Sequence, residues 1–151
     1  MHLTRDIRNN LRRQQPLPQR LIATYRGFEA IEHSIRGLAI LAREHSPLTY
    51  KSIFCPCVLA RAELTRAPSF PWPITVPSPR PAVALADDRT ALRELAHLAE
   101  DILLALVEAS AQATEVADHR ACTAGAINAC LIQQALHHTA DALADQEPHP
   151  G

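Results

Sequence analysis

"DDRTALRELAHLAEDILLALVEASAQATEV", residues 87–116, sets leucines and alanines seven residues apart in two interleaved series. Leu92, Ala99, Leu106 and Ala113 make one series, and Leu95, Ile102, Ala109 and Val116 the other. An α-helix turns once in about 3.6 residues, so both series fall on one side of a rod as a double apolar seam. Asp87 and Asp88 supply caps at its start. A rod with such a seam must be covered by others like it, which predicts an all-α fold, a helical bundle of about four main helices.

Continuing the register past Val116 places Arg120 and Thr123 on the seam, so the phase breaks within "ADHRACTAG", residues 117–125. Gly125 is the expected helix end or turn, with an unbroken helix through 118–125 as the alternative. A last helix, about residues 126–143, is expected to turn Ile127, Leu131 and Ala135 inward, with Leu136 beside them. Residues 87–145 then form a helical hairpin, followed by a disordered tail over 146–151 that holds Pro148 and Pro150.

Upstream, residues 19–67 read as a helical half. Leu21, Phe28, Ile35 and Ala42 recur at sevens with Ile31 and Leu38 in the second seam, and Gly27 and Gly37 either weaken this helix or let a neighbour approach closely. Ser46-Pro47 marks a restart. In "SIFCPCVLARAEL", residues 52–64, Pro56 lacks the N–H a continuing helix needs, so Cys55-Pro56-Cys57 reads as a kink or as the seam between two short helices. Residues 1–18 form a basic arm or short helix, capped by Thr4, with Leu3, Ile7 and Leu11 on one face and Pro16 and Pro18 ending it. Between the halves lies a proline-rich connecting strap, residues 68–86, with six prolines in "PSFPWPITVPSPRP".

A chain of 151 residues fits one structural domain with a core of its own, and with only 4% aromatic residues that core must be aliphatic. Residues 1–86 carry 12 Lys/Arg against 5 Asp/Glu, whereas residues 87–151 carry 3 against 11. Opposite fields favour docking of the basic half on the acidic half. The competing use of the basic charge, through Arg5, Arg8, Arg12, Arg13 and Arg20, is contact with nucleic acid or an acidic partner. The arginine-rich start is not followed by an apolar signal core, and the run Ile102–Val107 is far short of the ~20 residues of a membrane span, so no transmembrane segment and a cytoplasmic location are expected.

Four cysteines in that compartment are expected as thiols or metal ligands. Zinc prefers four tetrahedral ligands in short-spaced pairs, and the set available is Cys55 and Cys57 with His119 and Cys122, the latter two separated by one helical turn. The alternatives at Cys55-Pro56-Cys57 are a redox pair, a haem thiolate and simple burial at a helix kink. Glu94 and His97 have the Glu-x-x-His spacing of di-iron bundles, but no second such motif exists and both lie off the apolar seam. Glu29, Glu32 and His33, then Glu115, Asp118 and His119, then His137, His138 and Asp141, are carboxylate–histidine groups of the kind that also arise as surface pairs. No phosphate-binding glycine loop and no Gly-x-Ser-x-Gly occurs, so no motif supports catalysis. Phe70 and Trp72 in the strap either pack on the bundle or dock a partner.

These patterns point to a small soluble helical interaction or regulatory protein that works by protein–protein association. Self-association through the alanines Ala99, Ala109 and Ala113 is one form of it. The alternatives are a nucleic-acid-associated factor using the N-terminal arginines and a metal- or thiol-dependent protein using Cys55 and Cys57.

Overall fold

The computed structural model describes residues 2–41, 48–74 and 87–146. Among them are five helices and no strand: α1 (His2–Arg12), α2 (Leu17–Leu41), α3 (Leu48–Leu64), α4 (Asp88–Gln112) and α5 (Val116–Gln146). Helix α2 packs on α3 and α4, α5 packs on the same two, and α1 lies against α4 and α2. Ala42, the Ser46-Pro47 start signal, residues 75–86 of the strap and the tail over 147–151 lie outside the described residues.

The α2 and α4 seams are where the spacing puts them. Leu21, Phe28, Ile31, Ile35 and Leu38 are buried along α2, and Leu92, Leu95, Ala99, Ile102, Leu106 and Ala109 along α4. Asp87 caps α4: its carboxylate accepts the Thr90 backbone N–H at 2.8 Å and the Thr90 hydroxyl at 3.0 Å. That pair of bonds holds the Asp87 carboxyl below its ordinary value, chiefly through the backbone N–H. Helix α2 begins earlier than the proline signals suggested. Pro18 sits in its first turn, where a missing N–H costs nothing, and the Pro16 carbonyl accepts from the Arg20 N–H at 3.0 Å.

Three expectations are corrected. First, α3 is one helix from Leu48 to Leu64 with Pro56 inside it, not two helices with a seam at the cysteines. The carbonyl that Pro56 deprives of a partner belongs to Ser52, an exposed residue.

Second, the turn after α4 falls at residues 113–115 and not at Gly125; residues 118–125 are unbroken helix, the alternative reading there, within an α5 that runs as far as Gln146. The Ala113 N–H closes α4 on the carbonyls of Ala109 and Ser110. Gly125 serves a different purpose from a turn: a Cβ there would stand 2.9 Å from Leu106 Cδ1 and 3.5 Å from Leu64 Cδ2. Its bare Cα is what lets α5 lie against α4 and α3. Gly27 does the same for α2 on α4, where a Cβ would meet Ile102 Cδ1 at 2.8 Å, whereas nothing stands within 4 Å at Gly37.

Third, the buried face of α5 differs from the one expected at two of its four residues. The apolar residues buried along α5 are Ala121, Cys122, Ala129, Ile132, Leu136 and Ala140, with Gly125 among them. Leu136 is buried and Ala135 half-buried against the core as expected, whereas Ile127 and Leu131 point outward, exposed at 58% and 49%. Val116, assigned to the α4 seam, is likewise exposed at the start of α5.

Candidate functional site

The basic and acidic halves meet inside one molecule. Arg8 Nε lies 2.7 Å from Asp101 Oδ2, and Arg12 Nη2 adds a second, longer contact at 3.4 Å. Asp101 is almost fully buried, so its carboxylate depends on these partners. About two turns further along the same helix, Glu108 receives Arg20, whose side chain is only 1% exposed. Three of the five arginines considered for nucleic acid thus clamp α1 and α2 onto α4. Arg5 and Arg13 are exposed and make no ion pair among the described residues.

A second polar network joins α2 to α3. Glu29 and Glu32, both buried, face three guanidinium groups: Arg26 Nη1 at 2.8 Å from Glu29, Arg61 Nη2 at 2.5 Å from Glu32, and Arg36 Nη2 at 3.3 Å from Glu32. Arg61 also donates to the Tyr25 hydroxyl at 3.3 Å and lies over the Tyr25 ring. Tyr25 meets Phe70 edge-on at 5.5 Å between centroids, and Phe70 meets Trp72 at 5.1 Å. Phe70 is buried and Trp72 exposed, so the start of the strap is pinned by one aromatic while the other faces solvent. Asp118 holds the same segment from the α5 side, accepting the Ser69 N–H at 2.9 Å and the Ser69 hydroxyl. Glu29, Glu32 and Asp118, three of the carboxylates considered for acid–base work, therefore serve as structural acceptors. Glu94 is half-buried and His97 exposed, away from the buried side of α4.

The four residues considered for zinc do not assemble. Cys55 is exposed and Cys57 buried, and His119 points outward to hydrogen-bond with Ser110 Oγ at 2.7 Å while Cys122 points inward. Among the described residues no three His, Cys, Asp or Glu side chains gather as a metal-binding group. All four cysteines are free. Burial pushes the Cys57 thiol far above its ordinary value, with the Glu32 charge adding to the effect and Arg61 opposing it. Burial, then Asp118, raises Cys122 to about 11. Both stay protonated thiols at neutral pH, a poor state for a nucleophile. Cys130, half-exposed, accepts a long contact from Gln134 Nε2 at 3.8 Å.

What the sequence pattern missed is on the outside. Val58 and Leu59 on α3, Leu104 and Val107 on α4, and Ile127 and Leu131 on α5 are large apolar residues exposed to solvent. Within α4 and α5 they lie three and four residues apart and so stand together on one face of each helix. The signal for α4 was readable, since Leu104 and Val107 fall off both seven-residue series. Among the described residues two open clefts lie along α3. One, of about 400 Å³, lies between the end of α3 and the start of α5, lined by Glu63, Arg66, Val116 and Arg120. The other, of about 250 Å³, lies beside Tyr25, Val58, Arg61 and Thr65.

No protein-family model, curated protein or solved structure matches this chain. Among the described residues no helix is long and apolar enough to cross a membrane.

Proposed function

We propose that this chain is a small cytoplasmic helical interaction or regulatory protein that acts by protein–protein association. The scaffold is a four-helix bundle of α2, α3, α4 and α5, clamped by α1 and by Ser69 and Phe70 just after α3. The observation that carries this reading is the set of exposed leucine, isoleucine and valine side chains on α3, α4 and α5. Scattered single apolar residues on a surface need no explanation, but paired ones on neighbouring helices are the usual mark of a contact face. Such a face gains affinity by apolar burial, and the charges around it select the partner.

The arginines supply less support for the nucleic-acid alternative, because Arg8, Arg12 and Arg20 are occupied by Asp101 and Glu108. The alanines Ala99 and Ala109 do not support self-association, being buried between helices of one chain.

The test places a photo-crosslinking amino acid at Val107, on the apolar face, or at Gln19, an exposed polar position on α2. Irradiation of cells producing the protein should yield a protein adduct from the first and not from the second. Equal yields, or none from Val107, would overturn the proposal. Binding of mixed DNA or RNA that weakens steeply with salt and vanishes on Arg5→Glu/Arg13→Glu would replace it with the nucleic-acid reading.

A further inference from the structure

The outward face of α5 has an internal symmetry. Arg120, Ile127, Leu131 and Asp141 are all exposed. At 100° per residue they fall within a stripe about 80° wide. Ile127 and Leu131 lie near its middle, with a cation toward one end and an anion toward the other; Val116, Thr123, Gln134 and His138 are also exposed within it. Arg120 and Asp141 are about 32 Å apart along the axis, and their midpoint falls between Cys130 and Leu131.

An antiparallel copy of the same helix, related by a two-fold axis at that midpoint, sets Leu131 beside its own equivalent. It also sets Ile127 opposite Gln134, and Arg120 opposite Asp141 twice over. A two-fold interface requires one patch to be complementary to itself, and opposite charges equidistant from an apolar centre meet that requirement.

The neighbouring helix extends the apolar centre. Ser69 meets Asp118, and Leu64 lies against Gly125, so α3 runs antiparallel to α5. Five residues back along α3 from Leu64 match five forward along α5 from Gly125, which brings Leu59, itself 58% exposed, level with Cys130 and Leu131. A net charge of −1 leaves no strong repulsion between copies.

We propose that the outward face of α5, widened by Leu59, binds a second copy of this chain in antiparallel two-fold contact, with Leu131 at the axis and Arg120 paired to Asp141 at both ends. This inference rests on the reading of the exposed apolar residues as an association surface and names the partner.

Sedimentation velocity over a range of concentrations tests it. The full-length wild-type chain should show a monomer–dimer equilibrium. Leu131→Glu should sediment as a monomer with unchanged circular dichroism. Arg120→Asp and Asp141→Arg should each weaken the dimer by about fivefold or more, through lost attraction and new like-charge repulsion. Combining the two should restore the wild-type constant, which a merely structural role for either residue would not do. A monomer at every concentration, a dimer indifferent to Leu131→Glu, or a charge swap without recovery would each overturn the proposal. A photo-crosslinker at the exposed Thr123 separates this failure from that of the broader reading. Adducts only of foreign mass remove the self-pairing and keep the association surface, whereas no adduct removes both.

Discussion

The side of α5 that faces the bundle carries Cys122, Gly125, Ala129 and Ala140, with Ile132 and Leu136 between them. The side that faces solvent carries Ile127 and Leu131 between Arg120 and Asp141. Each side carries one isoleucine and one leucine, so the large apolar residues alone do not tell the two sides apart. The difference is a matter of distance. Two helices whose contact is made by glycine and alanine lie closer together than two separated by leucines, and large side chains that find no room in such a contact are turned out. Small residues that permit close approach, together with Ile132 and Leu136, mark the interior face of α5. The large residues left outside are then available for another molecule.

Adjacent residues offer the sharpest way to break this comparison. Ile132 is fully buried and Leu131 is half-exposed. Ile132→Ala should lower stability by about 2–5 kcal/mol, from lost burial and a residual cavity. Leu131→Ala should change it by no more than about 0.5 kcal/mol. Urea unfolding at dilute concentration, where association does not contribute, reads both. Equal costs at the two positions would mean that the assignment of faces is wrong.

The same contrast holds for charge. Arg61 reaches the buried Glu32, whereas Arg120 is on the surface. Removing one member of a buried pair leaves the other charge in a poor solvent and commonly costs ~3–5 kcal/mol. Arg61 is partly exposed and Glu32 keeps Arg36, so Arg61→Ala should cost somewhat less, about 2–3 kcal/mol. Arg120→Ala should leave dilute-solution stability within about 0.5 kcal/mol. Near-equal melts for the two variants would show that the α2–α3 network contributes little to the fold.

Glycine substitutions probe the close approach itself. Gly125→Val should destabilise by about 1–3 kcal/mol, because the new carbons meet Leu106 and Leu64. Gly37→Ala, with nothing within 4 Å, should gain up to about 1 kcal/mol through helix propensity. A tolerated Gly125→Val would mean that α4 and α5 are not held at glycine distance.

How much of this was legible follows from the same physics. The α2 and α4 faces could be read because large residues, Phe28, Ile35, Leu92 and Ile102 among them, mark the buried side at regular intervals. The Asp87 cap could be read because the residue before a helix has a chemical task. The inner face of α5 could be read only at Leu136 and Ala135, since most of the rest are alanines, a cysteine and a glycine of weak hydropathy, overshadowed by Ile127 and Leu131 on the other side. The turn at residues 113–115 contains neither glycine nor proline, so nothing local announces it, and the nearest glycine, Gly125, drew the boundary ten residues too far. The charge asymmetry between the halves was visible, but the partners of Arg8 and Arg20, roughly ninety residues away, are set by packing alone.

The thiols carry the smallest of these contrasts. Cys122 belongs to the inner face of α5 and Cys130 to its flank, half-exposed. Cys122 has an ordinary value of 9.0, raised to about 11 in the fold by burial and then by Asp118. Below pH 9 the thiol is neutral folded and unfolded alike, so it adds no pH dependence. Between about pH 9 and 11 the unfolded chain releases this proton and the folded one keeps it. Stability therefore falls as pH rises through that window, by about tenfold in the folding constant at pH 10 for this group alone. Cys57, shifted in the same direction, adds to the slope. A Cys57→Ala/Cys122→Ala variant should flatten the difference between melts at pH 8.5 and pH 10, and a Cys55→Ala/Cys130→Ala variant should not. A thiol reagent at neutral pH should modify Cys55 and Cys130 in the native protein and reach the other two only as urea unfolds it. Fast labelling of Cys122 in the native state would mean that the inner face of α5 opens to solvent, and the distinction between the two sides of that helix would fail with it.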